Sequence, residues 1–594
     1  MEIRRLFDLF DFQLATRRKK VALAYKDGLN WENYSTEDCL SQINQVSAGL
    51  IDLGLKRGDK VAVMVNVGSP RWLFLDFGMQ QIGAVGVPIS PHLAPQDLIH
   101  ILNESQAKYC IVSNRELLER VEEVREDCLQ LKGIFMMKKL PDVPGWDRLT
   151  THPTAKHMEA IQGFRAAVHE DDLVSIVYSF HDGVPRGVLL SHKNLINAIR
   201  TFSEAFPLRS GKKAFSYLPP HFLPERLLNY VYLTQGLSLY FAEGSTLVLK
   251  NLREVRPNFF TVLPPFLEHL HHQILDHALT RSTRKASRVA RAIRHGQRYN
   301  GPRQMPIGFW LKQLWYDLLV YRRWRKQLGG RIEGIWMLGP HQHTKLARLY
   351  SAAGIPVREG FGLVETAAIF SSNAFDARSL YFGTAGPLMT GIDVQIDAPA
   401  VNETGELYID APTTMIGYLG EKPVNGWFRT GWLGKIKGGR FLEIRGRKKD
   451  RFQLASGMTV LPQLAEQQLL CSPYIQQCIV FGENRPHTGA LLVPFFPLVI
   501  VWCWEHDIAI NDEDALITHP EVLSLMAQEV ANMNQYLNRS YQIGVFRLLP
   551  KAWSTEGGEY TADYILDRPR ILKKYAEEIE AMYNDVVLEP AGEK

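Results

Sequence analysis

Short apolar runs alternate with stretches of helical periodicity along the first part of the chain. Residues 60–64, 84–89 and 109–112 are nearly continuous apolar runs, the pattern of strands buried on both faces. Residues 70–83 and 98–105 lie between them and predict helices. Strands alternating with helices predict a parallel α/β sheet. Residues 1–60 carry Leu40, Ile43, Val46 and Leu50 at helical spacing, with Gly54 as a stop, and read as helical. Further on, the apolar run 173–177 leads into a tight loop, a second apolar run and a polar helix start at Ser191-His192-Lys193-Asn194. Residues 346–353 predict a helix closed by Gly354. Residues 478–482 and 490–494 predict two strands near the C-terminal end. The most apolar window, 490–504, is short of a membrane span and holds Pro494 and Pro497, so it reads as strand and then helix.

Length and composition sharpen this picture. At 594 residues the chain is too long for one core and predicts two or more domains. Apolar residues make up 46% and charged residues 22%, a globular balance. The net charge of +5 is mild for this length, so no nucleic-acid partner is expected. The six Cys form no C-x-x-C pair, which argues against a zinc or redox motif and fits a reducing, cytoplasmic setting. The first residues lack the apolar core of a signal peptide.

Charge is uneven, however. Residues 281–326 hold Arg281, Arg284, Lys285, Arg288, Arg291, Arg294, Arg298 and Arg303, then Arg322, Arg323, Arg325 and Lys326. Leu311, Leu314, Trp315, Leu318 and Leu319 form an apolar counterpart. Such a tract fits first a solvated helical face packed on the core, and as an alternative peripheral contact with an anionic inner membrane face.

Candidate chemistry starts at Ser179-Phe180-His181-Asp182-Gly183-Val184-Pro185-Arg186-Gly187-Val188. A loop between two apolar runs, relaxed by Gly183 and Gly187, can turn backbone N–H groups toward an anion. The residues alone equally allow a plain strand-turn-strand connection. The segment resembles the phosphate loop Y-T-S-G-T-T-G-x-P-K-G-V of the adenylate-forming (AMP-binding) superfamily, in its long-chain acyl-CoA synthetase branch. Glu359-Gly360-Phe361-Gly362-Leu363-Val364-Glu365-Thr366 resembles that family's E-G-Y-G-x-T-E-T, and residues 426–434 resemble G-W-F-R-T-G-D-x-G. Arg445-Gly446-Arg447-Lys448-Lys449-Asp450 resembles the hinge G-R-x-K-D, and residues 556–568 resemble E-x-G-E-L-T-P-T-x-K-x-x-R. Residues 216–226 and 252–257 are similar to further long-chain motifs. The resemblance runs from about residue 10 to about residue 585.

The resemblance implies a large α/β domain of packed sheets over 1–444 and a small mobile α+β domain over 445–594. It implies ATP with Mg²⁺, coenzyme A, and a fatty acid or acyl-CoA as ligands. Ser179, Gly183 and Arg186 would serve the phosphates, and Gly339 and Phe361 would border the adenine. Arg447 would meet ribose or phosphate, Asp450 would be the pivot, and Glu365 would be the catalytic carboxylate and Mg²⁺ ligand. Gly405-Glu406-Leu407-Tyr408 and Gly417-Tyr418 look like a strand pair closing the large domain.

The centres of these motifs depart from the pattern. Phe180, His181 and Asp182 stand where the family has Gly and two Thr, and Pro265 replaces an Arg. Leu338, Pro340 and His341 depart around Gly339, and Val364 replaces a Thr. Trp432 takes the place of the ribose-binding Asp, where an indole can only donate. Ile565 takes the place of the catalytic Lys. The expected function is a catalytically impaired acyl-CoA-synthetase-like protein that binds acyl or nucleotide ligands or acts in regulation. An active fatty acid–CoA ligase using Arg186, Glu365, Arg447 and a displaced Lys stays open. So does a surface-binding protein acting through residues 281–326.

Overall fold

The structure, a computed structural model, describes residues 2–138, 143–181, 183–339, 343–398, 403–510, 512–554, 557–561 and 565–584. Among these residues the chain forms a large N-terminal and a smaller C-terminal α/β domain. The large domain is built on three sheets of eight, seven and five strands. In the seven-stranded sheet, Lys60–Met64, Val85–Ile89, Ala107–Val112 and Gly133–Met136 pair in parallel, with helices Pro70–Gln81 and Pro95–Ser105 as crossovers. The apolar-run reading holds here because both faces of these strands are covered.

Helices Pro70–Gln81, His192–Ala205 and Leu223–Thr234 pack into one core that joins both large sheets. Val61 and Val63 enter it from one sheet, Leu239 and Phe241 from the other. Within it lies a closed polar cluster. The Arg226 guanidinium donates to Asp76 Oδ1 at 2.7 Å, to Ser175 Oγ at 2.8 Å and to the Tyr230 hydroxyl at 2.7 Å. Arg226 and Asp76 have 0% and 1% of their side chains exposed, so each charge depends wholly on its partners.

Three expectations change. Residues 1–60 are not all helical: Leu23–Asp27 and Asn30–Tyr34 form an antiparallel hairpin between helices Asp8–Arg17 and Thr36–Asp52. Gly28 opens its turn at φ 60°, a conformation other side chains resist. Gly405–Asp410 and Gly417–Tyr418 do not pair with each other. The first joins the five-stranded sheet, and the second caps the edge strand Val184–Ser191. Gly187 does not relax the backbone, since its φ is not positive. A Cβ there would meet Ile176 Cγ2 at 3.0 Å and Leu419 Cβ at 3.2 Å, so close packing explains the glycine.

The smaller domain holds Ile475–Phe481, Thr488–Pro494 and Ile543–Leu548 in one sheet, followed or flanked by helices Pro462–Leu469, Phe496–Glu505 and Pro520–Asn534. The strand-then-helix reading of 490–504 is borne out. This domain packs on the large one: Lys345 Nζ donates to the Ser472 carbonyl at 3.3 Å, and Phe495 stacks on His271 at 4.6 Å. No helix among the described residues is long and apolar enough to cross a membrane.

Candidate functional site

A cavity of about 470 Å³ opens where the three sheets of the large domain and the small domain meet. Strand Leu173–His181 brings Tyr178, Ser179 and Phe180 to it, and strand Val357–Leu363 brings Gly360, Phe361 and Gly362. The 3₁₀ turn Val364–Thr366 adds Val364 and Glu365, and the end of Gly334–Leu338 adds Leu338 and Gly339. Strands Phe428–Lys437 and Phe441–Arg447 supply Trp432 and Arg447, followed by Lys448 and Lys449 of the turn Lys448–Asp450. The small domain contributes Ile565.

Of the residues singled out from sequence, Ser179, Gly339, Phe361, Glu365 and Arg447 all line this one cavity. Two others lie elsewhere. Gly183 sits at the tip of the hairpin between Leu173–His181 and Val184–Ser191 with φ 81°, and a Cβ there would meet nothing within 4 Å. Arg186 stacks its guanidinium 3.6 Å from the centre of the Tyr418 ring and pairs with Glu421. Asp182, Pro340 and His341 lie outside the described residues, as does the side chain of His181.

Glu365 accepts hydrogen bonds from the Ser179 hydroxyl at 2.8 Å and the Tyr418 hydroxyl at 3.1 Å. Burial, and then the Glu365 charge, hold the Tyr418 phenol well above its usual range, so it stays a donor. In the same lining Trp432 packs edge-to-face on Phe361, with ring centres 5.1 Å apart. The Arg447 guanidinium lies 4.9 Å from the Trp432 ring, opposite it in the strand register. Phe361, Trp432 and Arg447 thus form one stack, with Trp432 only 6% exposed.

Sequence reasoning assigned no role to Tyr418, His221, Lys448 or Lys449. The two lysines had a signal, being adjacent cations in the hinge motif. Lys448 reaches Glu406 at 2.8 Å and lines the cavity as well. Lys574, the nearest lysine after Ile565 to carry a partner here, is bound to Glu559. Burial pushes His221 down to about 3, so it faces the cavity as a neutral ring.

These side chains suit some ligands better than others. Arg447, Lys448 and Lys449 put three cations on one wall, and Phe222, Leu223, Leu338 and Ile369 supply apolar surface. That combination fits a ligand with an anionic head and an apolar body. Among the described residues Glu365 is the sole carboxylate lining the cavity, and no group of three or more His, Cys, Asp or Glu is placed to hold a metal ion. Magnesium is commonly held by carboxylates together with substrate phosphates, and a ribose diol needs an acceptor that Trp432 lacks. Glu365 alone can supply the protein's share of such a Mg²⁺ site, whereas the Trp432 side chain offers a ribose diol no acceptor.

Residues 10–419 match the family described as AMP-binding enzyme, and residues 449–587 match the AMP-binding enzyme C-terminal domain. The chain is 26% identical over 573 residues to the long-chain-fatty-acid–CoA ligase FadD15 of Mycobacterium bovis, covering 94% of this chain and 93% of that one. It is 25% identical over 589 residues to the peroxisomal long chain acyl-CoA synthetase 7 of Arabidopsis thaliana, covering 94% and 82%. Its fold matches the crystal structure of the adenylation domain of a carboxylate reductase from Mycobacterium chelonae. That match has a TM-score of 0.71 at 18% identity and covers 98% of this chain and 91% of the other.

Proposed function

The chain belongs to the AMP-binding enzyme family, and within it we propose an adenylation-impaired relative of the long-chain fatty-acid–CoA ligases that binds an acyl ligand. One observation carries this reading: Trp432 is stacked between Phe361 and Arg447, at the position where the resemblance requires a ribose-binding carboxylate. Ile565, at the position of the catalytic lysine, lines the same cavity without a charge. Glu365, the one carboxylate there, accepts from two neighbouring hydroxyls.

In this reading Arg447, Lys448 and Lys449 hold the anionic head of a fatty acid or acyl-CoA, and the apolar wall holds its chain. The small domain pivots at the turn Lys448–Asp450, with the large domain ending near residue 444 and the small one starting near residue 445. Six unpaired cysteines suit a reducing compartment, so the cytoplasm belongs to the proposal. One observation favours a second reading, an active ligase with a rebuilt site: Lys449 lines the cavity that Ile565 lines, and could serve as the displaced lysine.

Pyrophosphate release with palmitate, ATP, Mg²⁺ and coenzyme A separates the two. The first reading expects palmitoyl-CoA to bind, ATP·Mg²⁺ to bind no tighter than about 1 mM, near −4 kcal/mol, and release to stay at background. Turnover near about 10 per second would establish the second reading.

A further inference from the structure

Residues 281–326 carry thirteen Lys and Arg against one acidic residue, Asp317, a net of +12. The whole chain carries +5, so all its other residues together carry a net of −7. Asp317 is itself paired with Arg325. This strongly basic stretch is therefore set against an acidic remainder, and it coincides with the largest run of exposed apolar side chains among the described residues.

That run lies on a single rod made of helix Ile307–Tyr316, the π-helical turn Asp317–Tyr321 and helix Arg322–Gln327. One face pins the rod to the fold. Phe309 stacks on His295 at 4.0 Å, the Tyr321 hydroxyl donates to the Ala292 carbonyl at 2.6 Å, and Trp324 is buried. The other face is largely open to solvent among the described residues. Ile307, Leu311, Leu314 and Leu318, at helical spacing, are 81%, 71%, 73% and 65% exposed, and Trp310 and Trp315 flank them at 39% and 51%. Scattered exposed leucines need no explanation, but six large apolar side chains in one stripe mark an interaction surface.

The rim of the stripe is cationic. Lys312, Arg322, Arg323 and Lys326 are exposed along the rod. On the neighbouring helix Thr283–Gln297, the Arg288 guanidinium lies 5.8 Å from the Trp315 ring, and Arg284, Lys285 and Arg291 are exposed. We propose that this face docks the protein on an anionic lipid bilayer, with the aliphatic stripe in the acyl boundary and the arginines and lysines on headgroup phosphates. A second copy of the chain would set +12 against +12. Nucleic acid would satisfy the cations but leave four aliphatic side chains in water. A lipid surface satisfies both, and tryptophans at the edge of the stripe suit the interfacial layer. The inference does not depend on whether the cavity adenylates.

Flotation of the full chain with vesicles tests it, comparing phosphatidylcholine alone with a mixture holding about one-third phosphatidylglycerol. The expected result is binding at least about tenfold stronger to the mixture, weakened severalfold between about 0.1 M and about 1 M salt. Leu311→Ser with Leu314→Ser and Leu318→Ser should reduce binding at least about tenfold, because the stripe supplies the buried apolar area. Arg322→Glu with Arg323→Glu should remove the preference for the anionic mixture. All five side chains are exposed, so circular dichroism should be unchanged. Quenching of tryptophan emission by brominated lipid reads the same contact in the unaltered chain. The proposal is overturned by any of four results. These are no binding to the anionic vesicles, binding that survives the three serines undiminished, no quenching, or preference for duplex DNA or an acidic polypeptide over vesicles at equal salt.

Discussion

Arg226 and Glu365 each sit in a cluster of charge, hydroxyls and an aromatic ring, the first sealed between two sheets and the second opening on the cavity. Around Arg226 every partner is buried, and an opposite charge faces the cation. Glu365 accepts from the Ser179 and Tyr418 hydroxyls, and Arg186 lies across the Tyr418 ring with Glu421 as its ion-pair partner. The difference separates two uses of a polar cluster. A sealed ion pair fixes how helices meet sheets, and removing one member strands the other. A cluster at a cavity wall has solvent beside it and can lose a charge cheaply.

The largest effect should therefore come from Arg226→Ala. It leaves Asp76 as an uncompensated charge in a dry core, which should cost about 3–5 kcal/mol. Denaturant unfolding measures this, and a loss below about 1 kcal/mol would erase the contrast between the two clusters.

Acid should act next, and mainly on buried groups of the interior. Burial holds His192, His221 and His271 at about 3 and His343 at about 4, below the ordinary 6.5. Their contribution is complete above pH 6.5 and is lost as pH falls toward the folded values. Burial also lifts Glu225, Glu268 and Glu359 to about 7 from the ordinary 4.5. Their contribution is complete below pH 4.5 and is lost as pH rises toward 7. The two slopes oppose each other between 4.5 and 6.5 and leave only the histidines below 4.5. The thermal midpoint should be nearly level across that window and drop by several degrees below it. A midpoint that keeps rising down to pH 4 would contradict this.

What the sequence made legible follows the same division between frame and centre. The strands at 60–64, 85–89 and 107–112 were readable because a strand buried on both faces leaves an unbroken apolar run. The hairpin Leu23–Asp27 and Asn30–Tyr34 was not, because its outer strand is short, mostly polar and half-exposed. Phe361, Glu365, Ser179 and Arg447 could be brought to one site from motifs alone. The partner of Arg186 could not, since Glu421 lies 235 residues away and only tertiary packing chooses between it and the cavity. Tyr418 was legible as part of a strand but not as a partner of Glu365, because a two-residue strand carries no periodicity to say which way its side chains face.

Glu365→Gln should change stability by about 1 kcal/mol or less. The amide oxygen can still accept from the Ser179 and Tyr418 hydroxyls. Unfolding against the unaltered chain measures it. A loss matching Arg226→Ala would show that this carboxylate is part of the frame and not of the cavity.

The smallest effect is expected at Ile565. Ile565 is tied to Thr561: the Ile565 N–H donates to Thr561 Oγ1 at 3.2 Å, and its carbonyl accepts from the Thr561 N–H at 2.8 Å. Ile565→Lys would add a cation to a cavity that already holds Arg447, Lys448 and Lys449. A cation accelerates phosphate chemistry only when the phosphate is held beside it in the right geometry. Trp432 gives a ribose no acceptor and Val364 gives a phosphate no hydroxyl, so the added charge has nothing positioned to act on. Pyrophosphate release with palmitate should change less than about twofold in Ile565→Lys, against the hundredfold or more that one well-placed contact brings. The combined change Ile565→Lys, Trp432→Asp and Val364→Thr should still recover little while Phe180, His181 and Asp182 remain in the loop. A hundredfold rise from Ile565→Lys alone would reverse the order of effects, because it would mean the cavity keeps its substrates in place and lacks only one charge.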